Sequence, residues 1–252
     1  MLEKNINSRL SGFAGYGLDD LKKANLMNRV DSKFMFPVSW LPNMLQQLTG
    51  HYRVLDINGC RVSTYKNQYL DTPEMKFYFD HHNGKLNRYK VRQRNYTDTQ
   101  TSFLEVKHKT NQRRTHKTRV CLDNLQGSRQ PADFVSSAVG IDYSKMVVTQ
   151  HSGYNRIALA NEDSAERLTI DFNLWYSSNG QKKLHLNSLC IAELKQAKST
   201  KNSPFFSLRE VPHMTQTGFS KYCIGCALLY GDEIKVNRFK PVLRKLSEQR
   251  IH

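Results

Sequence analysis

Apolar runs are short throughout the 252 residues, and none approaches the ~18–20 that a membrane-spanning helix requires. Met1 to Asn7 contains no apolar stretch of the signal-peptide kind. Cysteine is sparse and odd in number: Cys60, Cys121, Cys190, Cys223 and Cys226 do not read as a disulfide framework. These shortages are those expected of a soluble chain in a reducing compartment, the cytoplasm. Glycine and proline do not gather into a linker, and there is no internal repeat or low-complexity block to divide the chain. The Gly12–Gly17 stretch follows no strand pattern, and a Gly-Lys-Ser/Thr phosphate loop is missing. Acidic residues are also few. Thirty-eight Lys+Arg face 22 Asp+Glu, a net charge of +16, with a pI of about 9.7. That excess implies a polyanionic partner: nucleic acid, an anionic membrane surface or a phosphate-rich small molecule. A hydrophobic fraction of 38% with 10% aromatics is enough for a packed core and excludes global disorder.

The periodicity is mostly that of strands. Alternation predicts strands over residues 29–36, 53–57, 60–71, 88–96, 101–109, 116–122, 146–151, 154–160, 167–172 and 186–198. Helical spacing is confined to residues 40–48, 131–139, 204–211 and 219–230, with a short helix over 18–26. Turn chemistry separates them at Asn58-Gly59, Asn83-Gly84 and Asn179-Gly180. Strand follows strand without the 10–15-residue helices of βαβ units, so the pairing should be antiparallel, in one β domain with peripheral helices.

The charge is patterned on those strands. Arg88, Lys90, Arg92 and Arg94 stand at every second position and must share one face. Glu105, Lys107 and Lys109 repeat the pattern, as do Lys117 with Arg119, Arg29 with Asp31 and Lys33, and Glu193 with Lys195. A single such strand is explained by a solvated outer face, but several are not. Like charges opposed across strands repel by about 1–3 kcal/mol per pair at ~5 Å. A cavity in which a bound polyanion offsets that repulsion accounts for all of them. On this reading, removing Arg92 or Arg94 relieves repulsion and leaves the fold intact.

The series Arg29-Val30-Asp31-Ser32-Lys33-Phe34, Tyr69-Leu70-Asp71-Thr72, Arg88 to Tyr96, Phe103-Leu104-Glu105-Val106-Lys107, Lys117-Thr118-Arg119, Tyr154-Asn155-Arg156, Glu193-Leu194-Lys195 and Phe219-Ser220-Lys221-Tyr222 resembles the VTC domain, in order, over about residues 28–230. That domain is the polyphosphate polymerase domain of the vacuolar transporter chaperone complex, within the triphosphate tunnel metalloenzymes. The resemblance implies a closed, eight-stranded antiparallel β-barrel tunnel with flanking helices. The domain would span residues 28–232, after a polar leader (1–27) and before a basic C-terminal tail (233–252). It implies Lys33, Arg92, Arg94, Lys107, Lys117, Arg156 and Lys221 as catalytic phosphate ligands. Arg88, Lys90, Arg119, Tyr154, Lys195 and Ser220 would bind substrate, and Glu193 would hold Mn²⁺ or Mg²⁺.

The activity so implied is transfer of the ATP γ-phosphate to a growing polyphosphate chain. Triphosphate hydrolysis in the same tunnel is the nearest alternative, and non-catalytic binding of polyphosphate or nucleic acid the next. Partners would be ATP or another nucleoside triphosphate and inorganic polyphosphate. No specific nucleic acid is expected, because Tyr89 and Tyr96 form no continuous stacking platform beside the cations. A membrane partner is compatible with the chain but not encoded in it. Asp71 reads as a satisfied strand-end carboxylate, and Glu105 as either a metal ligand or a counter-charge. Cys223-Ile224-Gly225-Cys226 lacks a second ligand pair and reads as helix packing.

Overall fold

The structure, a computed structural model, describes residues 2–20, 30–112, 114–123, 130–179, 183–198, 202–208 and 214–248. Among them are twelve strands of one sheet: β1 (Gly15–Tyr16), β2 (Val30–Pro37), β3 (Arg53–Leu55), β4 (Ser63–Asp71), β5 (Arg88–Tyr96), β6 (Thr101–Lys109), β7 (Thr115–Cys121), β8 (Val147–Asn161), β9 (Glu166–Ser177), β10 (Lys183–Leu186), β11 (Leu189–Gln196) and β12 (Thr215–Gln216). Six helices accompany them: α1 (Leu2–Leu10), α2 (Leu41–Leu48), α3 (Lys76–His82), α4 (Pro131–Val139), α5 (Lys221–Leu229) and α6 (Lys240–Glu248). The main path runs β12-β2-β11-β9-β8-β4-β5-β6-β7, with β10 on β9 and β3 bridging β8 to β1. All pairs are antiparallel except β1 with β3.

The sheet is not the closed eight-stranded barrel expected. Among the described residues it has twelve strands, and its main path ends at β12 and β7, which do not pair with each other. Two residues in β12 offer too short a ladder for closure. Exposed Thr115, His116, Lys117, Thr118 and Arg119 make β7 polar on both faces, the character of an edge that resists pairing. Strands read separately at 146–151 and 154–160 are one strand, β8, bent at a bulge near Gly153. Residues 186–198 divide between β10 and β11. The helix expected over 18–26 falls mostly outside the described residues. Over 204–211, Pro204–Ser207 is a 3-10 turn, and residues 209–211 lie outside the description.

The sheet curls because each face has its own demand. Phe34, Phe36, Ile157, Leu159, Leu168, Ile170, Ala192 and Leu194 point to the convex side. There they bury against Ile6 and Leu10 of α1 and Leu41, Met44, Leu45 and Leu48 of α2. Val91, Leu104 and Val106 do the same around Val135 of α4. Helix α5 is apolar almost all round, with Tyr222, Cys223, Ile224, Gly225, Cys226 and Ala227 buried, and so belongs inside rather than on a surface. Its Gly225 lies so close to β8 and β9 that a Cβ would stand 2.2 Å from Gln150 Oε1. Among the described residues, no helix is long and apolar enough to cross a membrane.

Candidate functional site

Residues opposite one another in an antiparallel ladder share a face, and the register assigns the concave one. Lys33 faces Glu193, Asn67 faces Arg94 and Tyr69 faces Arg92. Arg92 faces Glu105 and Lys90 faces Lys107. Glu105 then faces Arg119, and Lys107 faces Lys117. Arg88 faces Lys109, and Arg156 faces Asp171. The inside of the curl is therefore a trough lined by Lys33, Arg88, Lys90, Arg92, Arg94, Lys107, Lys117, Arg119, Arg156 and Lys195. Lys90, Lys107 and Lys117 form a row of three like charges across β5, β6 and β7. Ser220 and Lys221 are added by the start of α5. Arg29 lies outside the described residues.

Three carboxylates organise these cations. Glu105 takes Arg92 Nε at 2.6 Å and Lys117 Nζ at 2.5 Å, with Arg94 Nε 3.9 Å away. Arg156 makes a forked pair with Asp171 at 2.6 and 2.8 Å, and Lys221 donates to the same Asp171 carboxylate. Glu193 accepts from Lys33 at 2.6 Å and Lys195 at 2.9 Å. Burial alone would raise all three carboxyls, but their cations outweigh it: Glu105 and Asp171 are held at about 2, and Glu193 lies well below the carboxylate range. Because these pKa values are depressed, the stability they contribute is full above about pH 4.5 and is lost as pH falls toward 2.

The other trough residues complete an arginine–tyrosine lattice. Arg94, 5% exposed, donates to Asn67 Oδ1 (3.1 Å) and Tyr154 OH (3.0 Å). Its guanidinium lies 5.0 Å from the ring centre of Tyr65, which stacks on Tyr154. Lys90 donates to Ser220 Oγ at 2.7 Å, and Ser220 in turn caps α5 by accepting from Cys223 N. Arg88 turns to the Lys85 carbonyl at the trough's end, and Arg119 lies over Phe103 at 4.4 Å. Arg92 and Arg94 are thus partnered, so their removal strands buried Glu105 or Tyr154 instead of relieving repulsion.

Asp171 escaped the sequence reading, although Arg167, Thr169 and Asp171 alternate with Leu168, Ile170 and Phe172. That alternation was the available signal. Asp71 is a structural carboxylate that accepts from the backbone N–H of Thr72, Phe77 and Tyr78 and from Tyr222 OH, anchoring α3 and α5. Cys223 and Cys226 are buried, unbridged packing residues.

Among the described residues Lys107 makes no ion pair. Burial, then Lys90 and Lys33, push its pKa down to about 8, only partly opposed by Glu193. An anion recruits the protonated form, so affinity for tripolyphosphate should fall as pH rises from about 7 to about 9. Lys107→Arg, which stays charged, should flatten that fall while keeping the neutral-pH affinity. Identical pH profiles for the two proteins would rule Lys107 out as an anion ligand. For the unliganded protein the sign reverses. The unfolded chain keeps the Lys107 proton up to about pH 10.4, so stability gains from this group as pH rises between about 8 and 10.4.

The donor chemistry fits a hard divalent cation in one way. No group of three His, Cys, Asp or Glu side chains gathers among the described residues. Mg²⁺, however, is commonly held by one or two carboxylates plus substrate phosphates. Glu193 is the carboxylate that the sequence pointed to, and its two lysine partners are the charges a triphosphate would draw away.

Fold and site together define a curled, mainly antiparallel sheet with a cationic trough plugged at its inner side by an apolar helix. The VTC domain profile matches residues 28–133 and 141–230, and the chain belongs to the VTC domain family. This membership supports a triphosphate-related enzyme. A provisionally designated adenylate cyclase from Vibrio parahaemolyticus is similar in structure at 14% identity and a TM-score of 0.46, covering 78% of this chain and 97% of its own. A provisionally designated Hippeastrum adenylyl cyclase, described as having a dominant triphosphatase activity, is similar at 12% identity and 0.49, covering 83% and 99%. A Pyrococcus horikoshii protein is similar at 10% and 0.43, covering 77% and 97%. At TM-scores below 0.5 these likenesses carry no functional inference. No curated protein sequence matches the chain.

Proposed function

We propose that the trough is the active site of a polyphosphate polymerase that transfers the γ-phosphoryl group of ATP to the end of a polyphosphate chain. The observation that carries this reading is the cross-strand row Lys90–Lys107–Lys117. Glu105 takes Lys117, but Lys90 and Lys107 oppose each other without an ion pair among the described residues, which is unfavourable unless a polyanion lies along them. Phosphoryl transfer asks of a protein mainly position and charge stabilisation. Arg92, Arg94 and Arg156 present planar forks to non-bridging oxygens, while Lys33, Lys107, Lys117 and Lys221 act as compact point charges. The terminal oxygen of the chain forms the new bond to the γ-phosphorus. The bond from that phosphorus to the β–γ bridging oxygen breaks, and ADP leaves. Mn²⁺ or Mg²⁺ at Glu193, when bound, would neutralise triphosphate oxygens. Tyr154 OH and Ser220 Oγ would orient the chain.

Incubation with ATP and Mn²⁺ should yield long-chain polyphosphate. Orthophosphate as the sole product would replace this reading with hydrolysis in the same trough. Binding of tripolyphosphate should also weaken steeply between low and high ionic strength, because the trough's cations are screened. An affinity indifferent to salt would remove the ionic trough from the account.

A further inference from the structure

Beside the trough, and outside it, lies a cleft of about 430 Å³ lined by His81, Gln216, Thr217, Gly218, Arg238 and Lys245. Three separate parts of the chain build it. Helix α3 contributes His81 at its end, β12 and the strap after it contribute residues 216–218, the turn leading into α6 contributes Arg238, and α6 itself contributes Lys245. The strap runs directly into Ser220, the residue that receives Lys90 from the trough.

The electrostatics of this cleft are one-sided. Arg238 lies across the α3–β5 turn, its guanidinium against Gly84 and 3.4 Å from the His82 carbonyl. Burial and then Arg238 lower the pKa of Arg88, and Lys90, Arg88, Arg238 and Lys109 all add to burial in lowering that of His81. No carboxylate is among the described residues that line the cleft. His81 Nδ1 is buried without a hydrogen-bond partner. Burial first, then these cations, hold that imidazole neutral, with a pKa of about 2. A neutral ring in these cationic surroundings leaves one polar atom to be satisfied by something that enters. Gly218 leaves the way open, since a Cβ there would meet nothing within 4 Å.

We propose that this cleft is a second anion subsite, which holds a phosphoryl group of a polyphosphate chain that has run past the start of α5. Arg238 and Lys245 supply the charge, and His81 the buried hydrogen-bonding atom. Both cations lie beyond residue 230, where the family match ends, so the subsite belongs to this chain's own C-terminal segment. The reading of the chain as ligand rests on the function proposed for the trough. The shared chemistry is a phosphoryl dianion, and the source is a long chain or free orthophosphate.

The test uses the full chain with Arg238→Ala, Lys245→Ala and the double variant, and three probes: orthophosphate, tripolyphosphate and long-chain inorganic polyphosphate. Arg238 is exposed and Lys245 half-buried, and neither makes an ion pair among the described residues, so melting temperatures should match the wild type. The double variant should lose at least about tenfold in long-chain affinity while its tripolyphosphate affinity stays within about twofold. Equal losses for both probes, or unchanged long-chain affinity, would overturn the subsite. If the wild type binds no tripolyphosphate, the trough reading fails by itself. The cleft is then decided by the His81 imidazole resonance on orthophosphate addition. A shift present in the wild type and lost in Arg238→Ala retains the cleft as a site for free phosphate, and no shift overturns it.

Discussion

Asp171→Ala should be the most damaging single change in the trough. The carboxylate is 2% exposed and joins Arg156, from the adjacent strand, to Lys221, at the start of the plugging helix. Deleting it leaves two largely buried cations facing each other with no counter-charge. Breaking a buried ion pair by removing one partner costs about 3–5 kcal/mol. For a chain of this length that is roughly 10 °C in melting temperature. The loss should be selectively repaired by ligand: tripolyphosphate oxygens can occupy the place of the carboxylate, so the ligand-induced rise in melting temperature should be larger in the variant than in the wild type. Calorimetry with and without tripolyphosphate measures both quantities. A variant as stable as the wild type, or one stabilised by ligand no more than the wild type, would show that Asp171 and the phosphate chain do not share these cations.

Glu193→Gln should have the largest effect on turnover. The substitution keeps the side chain's size and removes the charge that now holds Lys33 and Lys195. If Glu193 is the carboxylate that shares a divalent ion with the substrate, metal-dependent turnover should fall by about 10²–10³, the range seen when one well-placed charge-stabilising group is lost. Tripolyphosphate binding without metal should survive and tighten, because two lysines are released and a repulsive anion is gone. Measuring kcat across a Mn²⁺ titration beside metal-free binding separates the two roles. Normal turnover with an unchanged metal dependence would reduce Glu193 to a counter-ion for its lysines.

Much of the site was legible before any coordinates, because a strand writes its face into every second residue. Arg88 to Arg94 could lie on one face only, and so could Glu105 with Lys107, and Glu193 with Lys195. The register joins those separate faces into one. Helix α2 was equally plain from Trp40, Leu41, Met44, Leu45 and Leu48. Helix α3 was not, because its start depends on Asp71, whose carboxylate takes the Phe77 and Tyr78 N–H groups and Tyr222 OH from 151 residues away. Helix α1 was hidden for a related reason: only Ile6 and Leu10 of its nine residues are buried, and their partners lie on α2 and the sheet.

Alternation and composition were enough to establish a mainly antiparallel β protein with an ionic inner face, since both follow from local periodicity. Closure of the sheet was not decided locally. It depends on whether the ends of the main strand path can pair, and a two-residue β12 and a β7 polar on both faces end that path unpaired with each other. The partners of the cations were likewise a tertiary matter. Which arginine meets which carboxylate is set by register and by the docking of α5, where the absence of a Cβ at Gly225 lets the helix approach Gln150 and Tyr176. The cleft at Arg238 and Lys245 exists only because segments more than 150 residues apart in the chain come together around His81, an adjacency that no pattern along the chain encodes.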